Sequence, residues 1–458
     1  MSGRVLMGLQ FFPRGGSAHV ANNLARALPA SGWEVRVVTG SARPPGDAGS
    51  FYAGLDVVAV DMTAALDAAD PMAADPPMHP SYEDRPGAPD RVFAALDDAA
   101  FEHHVAAWAR ILADAGAADC DVLHLHHLTP LNAAAERVAP GVPVVGHLHG
   151  TELMMLEAEP GRWPHLEAWR ERMRAWAQRC ERLIVLSRSH VTRARDLLDI
   201  DPRRCVVVSN GFDPEIFDAG HVDRLAFWHD HLVADPQGWA PGEGPGSVRY
   251  ADEDLRAFAG DGPVLLYVGR FTEVKRLALL IEAHALARPR FVRPAPLVLL
   301  GGFPGEWEDE HPVETIRRTG ARDVFLAGWH THRGLREFLN ASDVVVLPSV
   351  REQFGQVLVE GMACGLPAIA VDAYGPAEIV RAGATGWLVA PDDVEDLAQA
   401  MLEAVNEPGE RARRGREAYD DAHARFAWPQ LAGAVAAVYE AARLDGDGMG
   451  EPAELALK

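Results

Sequence analysis

Lysine is almost missing from this chain: among 43 basic residues only Lys275 and Lys458 are lysines, and all the others are arginines. Positive charge as a whole is in deficit, because 66 acidic residues leave a formal net charge of −23. That balance argues against nucleic acid, which needs a basic footprint, and weakens docking on anionic lipid through a polybasic patch. Cysteine is scarce too. Cys120, Cys180, Cys205 and Cys364 show no pair spacing of a metal site or a disulfide framework, and reduced thiols are the default reading. No apolar run approaches the ~20 residues that cross a bilayer. The opening Met-Ser-Gly-Arg-Val-Leu-Met-Gly-Leu reads as a short strand rather than a signal sequence. These absences predict a cytoplasmic protein with no integral membrane segment and no nucleic-acid partner, and they leave its oligomeric state open.

What is present is enough for two or three domains with full cores, at 458 residues and 48% hydrophobic. The most informative stretch is 343–372. Val344-Val345-Val346-Leu347 is a continuous apolar run, as expected of a strand buried on both faces of a parallel sheet. Pro348 and Ser349 end it, and Gly355 permits a tight turn into a helix from about Gln356. Gly365 and Pro367 stop that helix, and Ala368-Ile369-Ala370-Val371 is the next strand. Glu352 falls beyond the first strand's carboxyl end, where open α/β sheets bind ligands. Glu360 sits among Val357, Leu358, Val359, Met362 and Ala363, in a helix apolar nearly all round. A carboxylate is costly to bury there unless something hydrogen-bonds to it. A ligand's sugar hydroxyl would serve; on the alternative reading Glu360 is solvated and favoured by the helix dipole.

Glu352 and Glu360 stand in a Glu-x7-Glu spacing, with Phe354-Gly355 between them and Glu360-Gly361-Met362-Ala363-Cys364-Gly365-Leu366-Pro367 following. This unit closely resembles the signature of retaining glycosyltransferase family 4. The resemblance implies an α/β protein of the GT-B fold: two Rossmann-like, doubly wound domains facing each other across a cleft, with a C-terminal helix crossing back. The expected domains are an acceptor-side domain at 1–212, completed by a helix at about 429–446, and a nucleotide-sugar-binding domain at 263–428. Residues 213–262 are expected as an extended linker or insertion, because of their proline and glycine.

Along the chain, 4–9 predicts a first strand, and a helix runs from about Ser17 to Ala30. Gly15 and Gly16 occupy the turn between them, where backbone N–H groups meet anionic oxygens. G-x-G-x-x-G is lacking, so a dinucleotide is not indicated. The resemblance implies instead that Gly15 and Gly16 close over a donor's diphosphate and sugar. Residues 43–100, rich in Pro, Ala and Asp, read as a long loop or lid, with a helix from near Phe93 to about Ala115. His124, His126 and His127, with His147 and His149 further on, invite a metal reading. No carboxylate or cysteine spacing completes a site, so no metal is expected; His126 and His127 line the acceptor side or simply pack. His149-Gly150-Thr151 resembles the family's His-Gly-Thr loop, which implies that His149 reaches the donor sugar near the reaction centre.

In the second half, Val264-Leu265-Leu266-Tyr267-Val268 predicts a strand that leads into Gly269-Arg270-Phe271-Thr272-Glu273-Val274-Lys275. An internal lysine kept against an arginine background points to a specific need, since an ammonium is a compact point charge and a guanidinium a planar fork. The resemblance assigns Arg270 and Lys275 to the diphosphate, where two cations and helix N–H groups stabilise a leaving group without a metal ion. Gly301-Gly302-Phe303 departs from the family's Gly-x-Gly-Pro. Gly328, at the exit of a strand from Val324, is implied to meet the base, and 374–378 and 385–389 match family turns.

The resemblance thus implies retaining transfer of a hexosyl group from a nucleotide-diphosphate sugar (UDP-sugar favoured, GDP- or ADP-sugar open) to a hydroxyl of a small soluble acceptor. No cofactor is required, the nucleotide sugar being a co-substrate. The implied catalytic residues are His149, Arg270, Lys275 and Glu352. Donor binding is implied for Gly15, Gly16, Arg270, Lys275, Gly328, Glu352, Phe354, Gly355, Gln356, Val357 and Glu360. Glu360 would hold ribose hydroxyls, Glu352 the outer hydroxyls of the sugar, and the N–H groups of Gly355, Gln356 and Val357 sugar or phosphate. No carboxylate nucleophile is evident, so same-face attack is expected. A sugar-nucleotide epimerase or phosphorylase on the same fold, or a non-catalytic nucleotide-sugar sensor, is the alternative.

Overall fold

A computed structural model describes residues 3–13, 15–44, 46–83 and 90–446. The chain divides into two compact units, one of Met1–Asn210 with Trp428–Lys458 and one of Gly211–Ala427. Each is a doubly wound α/β unit of the Rossmann type. Among the described residues no helix is long and apolar enough to cross a membrane.

The first unit is built on seven parallel strands: β1 (Gly3–Leu9), β2 (Trp33–Ser41), β3 (Asp56–Asp61), β4 (Val122–His126), β5 (Val144–His147), β6 (Arg182–Val185) and β7 (Cys205–Val207). Their order is β3-β2-β1-β4-β5-β6-β7, so the winding reverses between β1 and β4, where ligands bind in open α/β sheets. β4 and β5 are buried throughout, which is why they read as near-continuous apolar runs broken only by histidine. The final helix, Trp428–Gly446, lies on one face of this sheet, with Val435, Val438 and Tyr439 in a core shared with Val5, Met7 and Trp33.

Residues 43–100 are not simply a loop or lid. They contain β3, which pairs with β2 from Arg36–Asp56 to Ser41–Asp61, and they bury Met72, Met78, Tyr82, Val92 and Phe93 in the core. The correction has a plain cause. Pro, Ala and Asp dominate the stretch, but Val57, Val58 and Val60 form an edge strand, and the scattered large side chains pay for ordering the rest. Residues 84–89 of the expected lid, and the tail after Gly446, lie outside the described residues.

The second unit has six parallel strands: β8 (Leu265–Gly269), β9 (Leu297–Gly301), β10 (Val324–Gly328), β11 (Val344–Leu347), β12 (Ala368–Val371) and β13 (Gly386–Val389). The order β10-β9-β8-β11-β12-β13 repeats the same reversal, here between β8 and β11. β13, expected as a turn, is an edge strand beside β12. Trp387 and Val389 are buried there, and Trp387 Nε1 donates to Glu403 at 3.0 Å.

Residues 213–262 are more than an extended linker, since they fold onto the second unit. Trp228 and Trp239 are fully buried. Trp228 Nε1 donates to the Ala341 carbonyl at 3.2 Å and Trp239 Nε1 to the Gly302 carbonyl at 3.0 Å. The Tyr250 hydroxyl accepts the Leu326 N–H of β10 at 2.8 Å. Glycine and proline shape the turns of this segment, while its aromatics supply the buried area and satisfy their polar tips.

Candidate functional site

In the second unit the loops that leave β8 and β11, the two strands flanking the reversal, are tied together. Ser349 Oγ and the Val350 N–H both bond the Val274 carbonyl, at 3.1 and 3.0 Å. Within that tie Lys275 Nζ and Glu352 Oε2 form an ion pair, with both side chains largely buried. The cation and the carboxylate singled out in sequence are therefore direct neighbours. Arg270 stands on the same exit loop, its carbonyl accepting from the buried Tyr267 hydroxyl at 2.8 Å. Its residue is exposed, and its guanidinium has no ion pair among the described residues.

Glu352 is held by its backbone as well, because its carbonyl accepts the Gly375 N–H at 3.2 Å. Gly375 must be glycine: a Cβ there would lie 2.3 Å from the Phe354 carbonyl oxygen and 2.4 Å from Phe354 Cα. Phe354 is buried. Gly355 follows at φ 102°, a left-handed conformation that favours glycine, and starts the helix Gln356–Ala363 with no side-chain cap. The first N–H groups of that helix, at Gln356 and Val357, have no intrahelical partner and carry the positive end of the dipole.

Glu360, 2% exposed, projects from this helix. Its Oε1 accepts from His332 Nε2 at 2.7 Å and from Gln356 Nε2 at 3.0 Å. The same Gln356 amide nitrogen donates to the Gly211 carbonyl at 2.8 Å. Burial sets aside the solvated reading of Glu360, and the protein supplies donors of its own. Burial pulls the His332 imidazole down, but the hydrogen bond and charge of Glu360 outweigh it, so its pKa is raised above the ordinary histidine value.

Gly328 ends β10 at φ 75°, and a Cβ there would come within 2.0 Å of the Gln237 carbonyl oxygen. The 213–262 segment thus crosses directly over the strand exit expected to meet a base. Beside it Phe303 and Trp329 remain half exposed, ring centres 6.0 Å apart.

In the first unit Gly15, in extended conformation, precedes the helix Gly16–Ala27, whose start carries no side-chain cap. A Cβ at Gly15 or Gly16 would meet nothing within 4 Å, so packing within the chain does not demand glycine at either. His149 follows β5. Its backbone N–H donates to Glu152 Oε1 at 2.9 Å, and its Nε2 shares a 2.9 Å hydrogen bond with His126 Nδ1. Glu152 is fully buried and meets His127 Nδ1 through Oε2 at 3.3 Å. Burial alone would raise the Glu152 carboxyl, yet His127 and nearby backbone N–H groups hold it below the usual carboxylate range. His127 is itself left-handed, at φ 65°, a costly conformation for a non-glycine residue.

Behind His149 the histidines form a hydrogen-bonded stack. Tyr439 OH meets His124 Nδ1 at 2.6 Å, and His124 Nε2 meets His147 Nδ1 at 3.2 Å. Nitrogens of His124, His126 and His147 lie within 4.8 Å of one another, close enough to consider a metal ion. Most of those nitrogens already serve imidazole or tyrosine partners, the ring planes are within 24° of parallel, and among the described residues no carboxylate or cysteine joins the group. Burial lowers His124 to about 3 and drives His126, His147 and His149 well below the ordinary value. The stack is one of neutral rings.

Comparison with known proteins decides the family. The model of Glycosyltransferase Family 4 matches residues 14–216, and that of Glycosyl transferases group 1 matches residues 252–421. The alpha-maltose-1-phosphate synthase of Mycolicibacterium smegmatis is 30% identical over 338 residues, 69% of this chain and 78% of that one. The chain belongs to the group 1/family 4 glycosyltransferases. D-inositol 3-phosphate glycosyltransferase 2 of Catenulispora acidiphila is 37% identical over 202 residues, 43% of this chain and 47% of the relative. The chain is thus matched over about half the length of that relative. Among solved structures, Anabaena HepE in complex with UDP and glucose aligns with a TM-score of 0.65 at 18% identity, over 96% of this chain and 99% of that one. At that identity the likeness speaks to the fold alone, which is GT-B.

Two site residues escaped the sequence reading of this glycosyltransferase. Glu152 carried the same signal as Glu360, a carboxylate inside an apolar helix. His332, in an ordinary polar turn after β10, carried none.

Proposed function

We propose that the protein transfers a hexosyl group, with retention and without a metal ion, from a nucleotide-diphosphate sugar to a hydroxyl of a small soluble acceptor. The observation that carries this reading is the meeting of Lys275 with Glu352 at the β8/β11 reversal, one helix start away from Glu360. An ammonium has three N–H donors. One serves Glu352, and two remain for phosphate oxygens as charge grows on the departing diphosphate. Arg270 adds a second cation, and the uncapped N–H groups of Gln356 and Val357 add dipoles. Glu360 takes the ribose hydroxyls and Glu352 those of the sugar. In the first unit the open helix start at Gly15 and Gly16 takes an anionic oxygen, and His149 takes a sugar hydroxyl. The sequence offers no evident carboxylate nucleophile, and in this reading the acceptor attacks from the face the phosphate leaves. UDP-sugar is favoured as donor, a choice supported by the UDP and glucose bound to HepE. A small polyol phosphate acceptor is supported by the name of the inositol-phosphate relative.

The test is a panel of UDP-, GDP- and ADP-sugars scored by thermal shift and slow hydrolysis, with and without EDTA. One donor class stabilises the wild type, EDTA leaves that effect intact, and Lys275→Ala or Glu360→Ala removes most of it. Equal stabilisation of both variants overturns the assignment, and an isomerised donor or a free sugar phosphate as product overturns the transferase reading.

A further inference from the structure

The Glu360 carboxylate is occupied on one side only. An ionised carboxylate offers about four lone-pair sites over its two oxygens. His332 Nε2 and Gln356 Nε2 both approach Oε1, and Oε2 takes no hydrogen bond among the described residues. The chemistry of the partners accounts for this one-sidedness. A guanidinium in the place of His332 would fork across both oxygens. An imidazole edge presents a single N–H and can claim one. The His332 ring is in turn held by Phe217, with ring centres 5.2 Å apart, and Gln356 is anchored to the Gly211 carbonyl at 2.8 Å.

We propose that His332 is a positioning residue for nucleotide recognition: with Gln356 it pins Oε1 of Glu360, so that Oε2 is presented, oriented and unshared, to a ribose hydroxyl. The inference rests on the reading of this unit as a nucleotide-diphosphate-sugar site and deepens it. His332 touches no ligand in this scheme and acts only through Glu360. The hydrogen bond also fixes a proton on Nε2, since an unprotonated Nε2 at that distance would set its lone pair against a carboxylate oxygen. The energetic sense is preorganisation: a free carboxylate would lose rotamer freedom on binding, and here that freedom is already lost.

The experiment is calorimetric titration of the full chain with UDP, GDP and ADP and with the 2′-deoxy form of each, on wild type, His332→Ala, His332→Gln and Glu360→Ala. Wild type prefers the ribonucleotide of the cognate base. His332→Ala weakens that ribonucleotide by about 10-fold, the order expected for losing one hydrogen bond to a charged group, and weakens its 2′-deoxy form little. His332→Gln, which keeps an N–H for Oε1, recovers most of the loss, and Glu360→Ala abolishes the ribose preference. Equal weakening of ribo and deoxy forms by His332→Ala, or no weakening at all, overturns the inference while leaving the nucleotide site standing. Failure of the wild type to bind any of the six nucleotides overturns the nucleotide reading itself. Circular dichroism of each variant separates a fold defect, which would move ribo and deoxy binding together.

Discussion

Acid should unfold the first unit well above the range in which carboxylates titrate. His104, His124, His126 and His147 are all fully buried there. Burial lowers His104 and His124 to about 3 and drives His126 and His147 well below the ordinary value. In the unfolded chain each has a pKa of about 6.5. Below that pH the unfolded state takes up a proton at each site that the folded state refuses, so stability is fully present above pH 6.5 and falls as pH falls. At pH 5.5, one unit below the unfolded value, each ring costs on the order of 1 kcal/mol, and the four together several kcal/mol. A domain holds only about 5–15 kcal/mol in all. In the second unit burial lowers His284 and His311 to about 4 and His330 in the same direction. Its His332 acts in the opposite sense: being raised, it stabilises below its unfolded value, and that contribution is lost as pH rises through the folded one. Urea titrations at pH 7.5 and 5.5, with pulse hydrogen exchange at one labelling pH and peptide-level mass spectrometry, resolve the two units. The first unit is expected to lose several kcal/mol and the second distinctly less. If the first unit's unfolding free energy changed by less than about 1 kcal/mol, the picture of a neutral buried histidine stack would be refuted.

Two further outcomes follow from close contacts. Gly375→Ala drives a methyl group into the Phe354 backbone and should cost about 1–3 kcal/mol; because that backbone carries Glu352, thermal shift by the donor should fall by more than the melting point of the free protein does. Trp239→Ala empties a fully buried site and frees the Gly302 carbonyl, at a cost of about 3–5 kcal/mol in urea unfolding of the second unit, and a loss under 1 kcal/mol would return 213–262 to the status of a linker.

How much of this was legible depended on where each signal resides. β8, β11 and β12 are central strands whose burial on both faces writes a continuous apolar run into the chain, and they were read correctly. β3 and β13 are edges; β3 is half exposed and flanked by turn formers, and β13 is four residues long and opens on a glycine. Local pattern has little to say about such strands, because a neighbour decides them. For a related reason the 213–262 segment reads from sequence only as a linker or insertion: glycine and proline describe backbone freedom, while the place of Trp228, Trp239 and Tyr250 depends on a core contributed by β9, β10 and the Ala341 turn. At the site, Lys275, Glu352 and Glu360 were legible because each is chemically out of place in its surroundings. His332 meets Glu360 across 28 residues, and no spacing rule announces a partner delivered by the return of a strand.

The hydroxyl of Tyr250 has a consequence for how copies of this chain meet. β10 is the last strand on its side of the sheet, and an open border of N–H and C=O groups invites a foreign strand to dock. Here a phenol accepts the Leu326 N–H, and the Gly238 backbone presses so near the Leu326 carbonyl that a methyl group there would sit 2.4 Å from it. The margin is sealed by side chain and loop rather than by another ribbon, so sheet-to-sheet zippering between molecules has no template at this border.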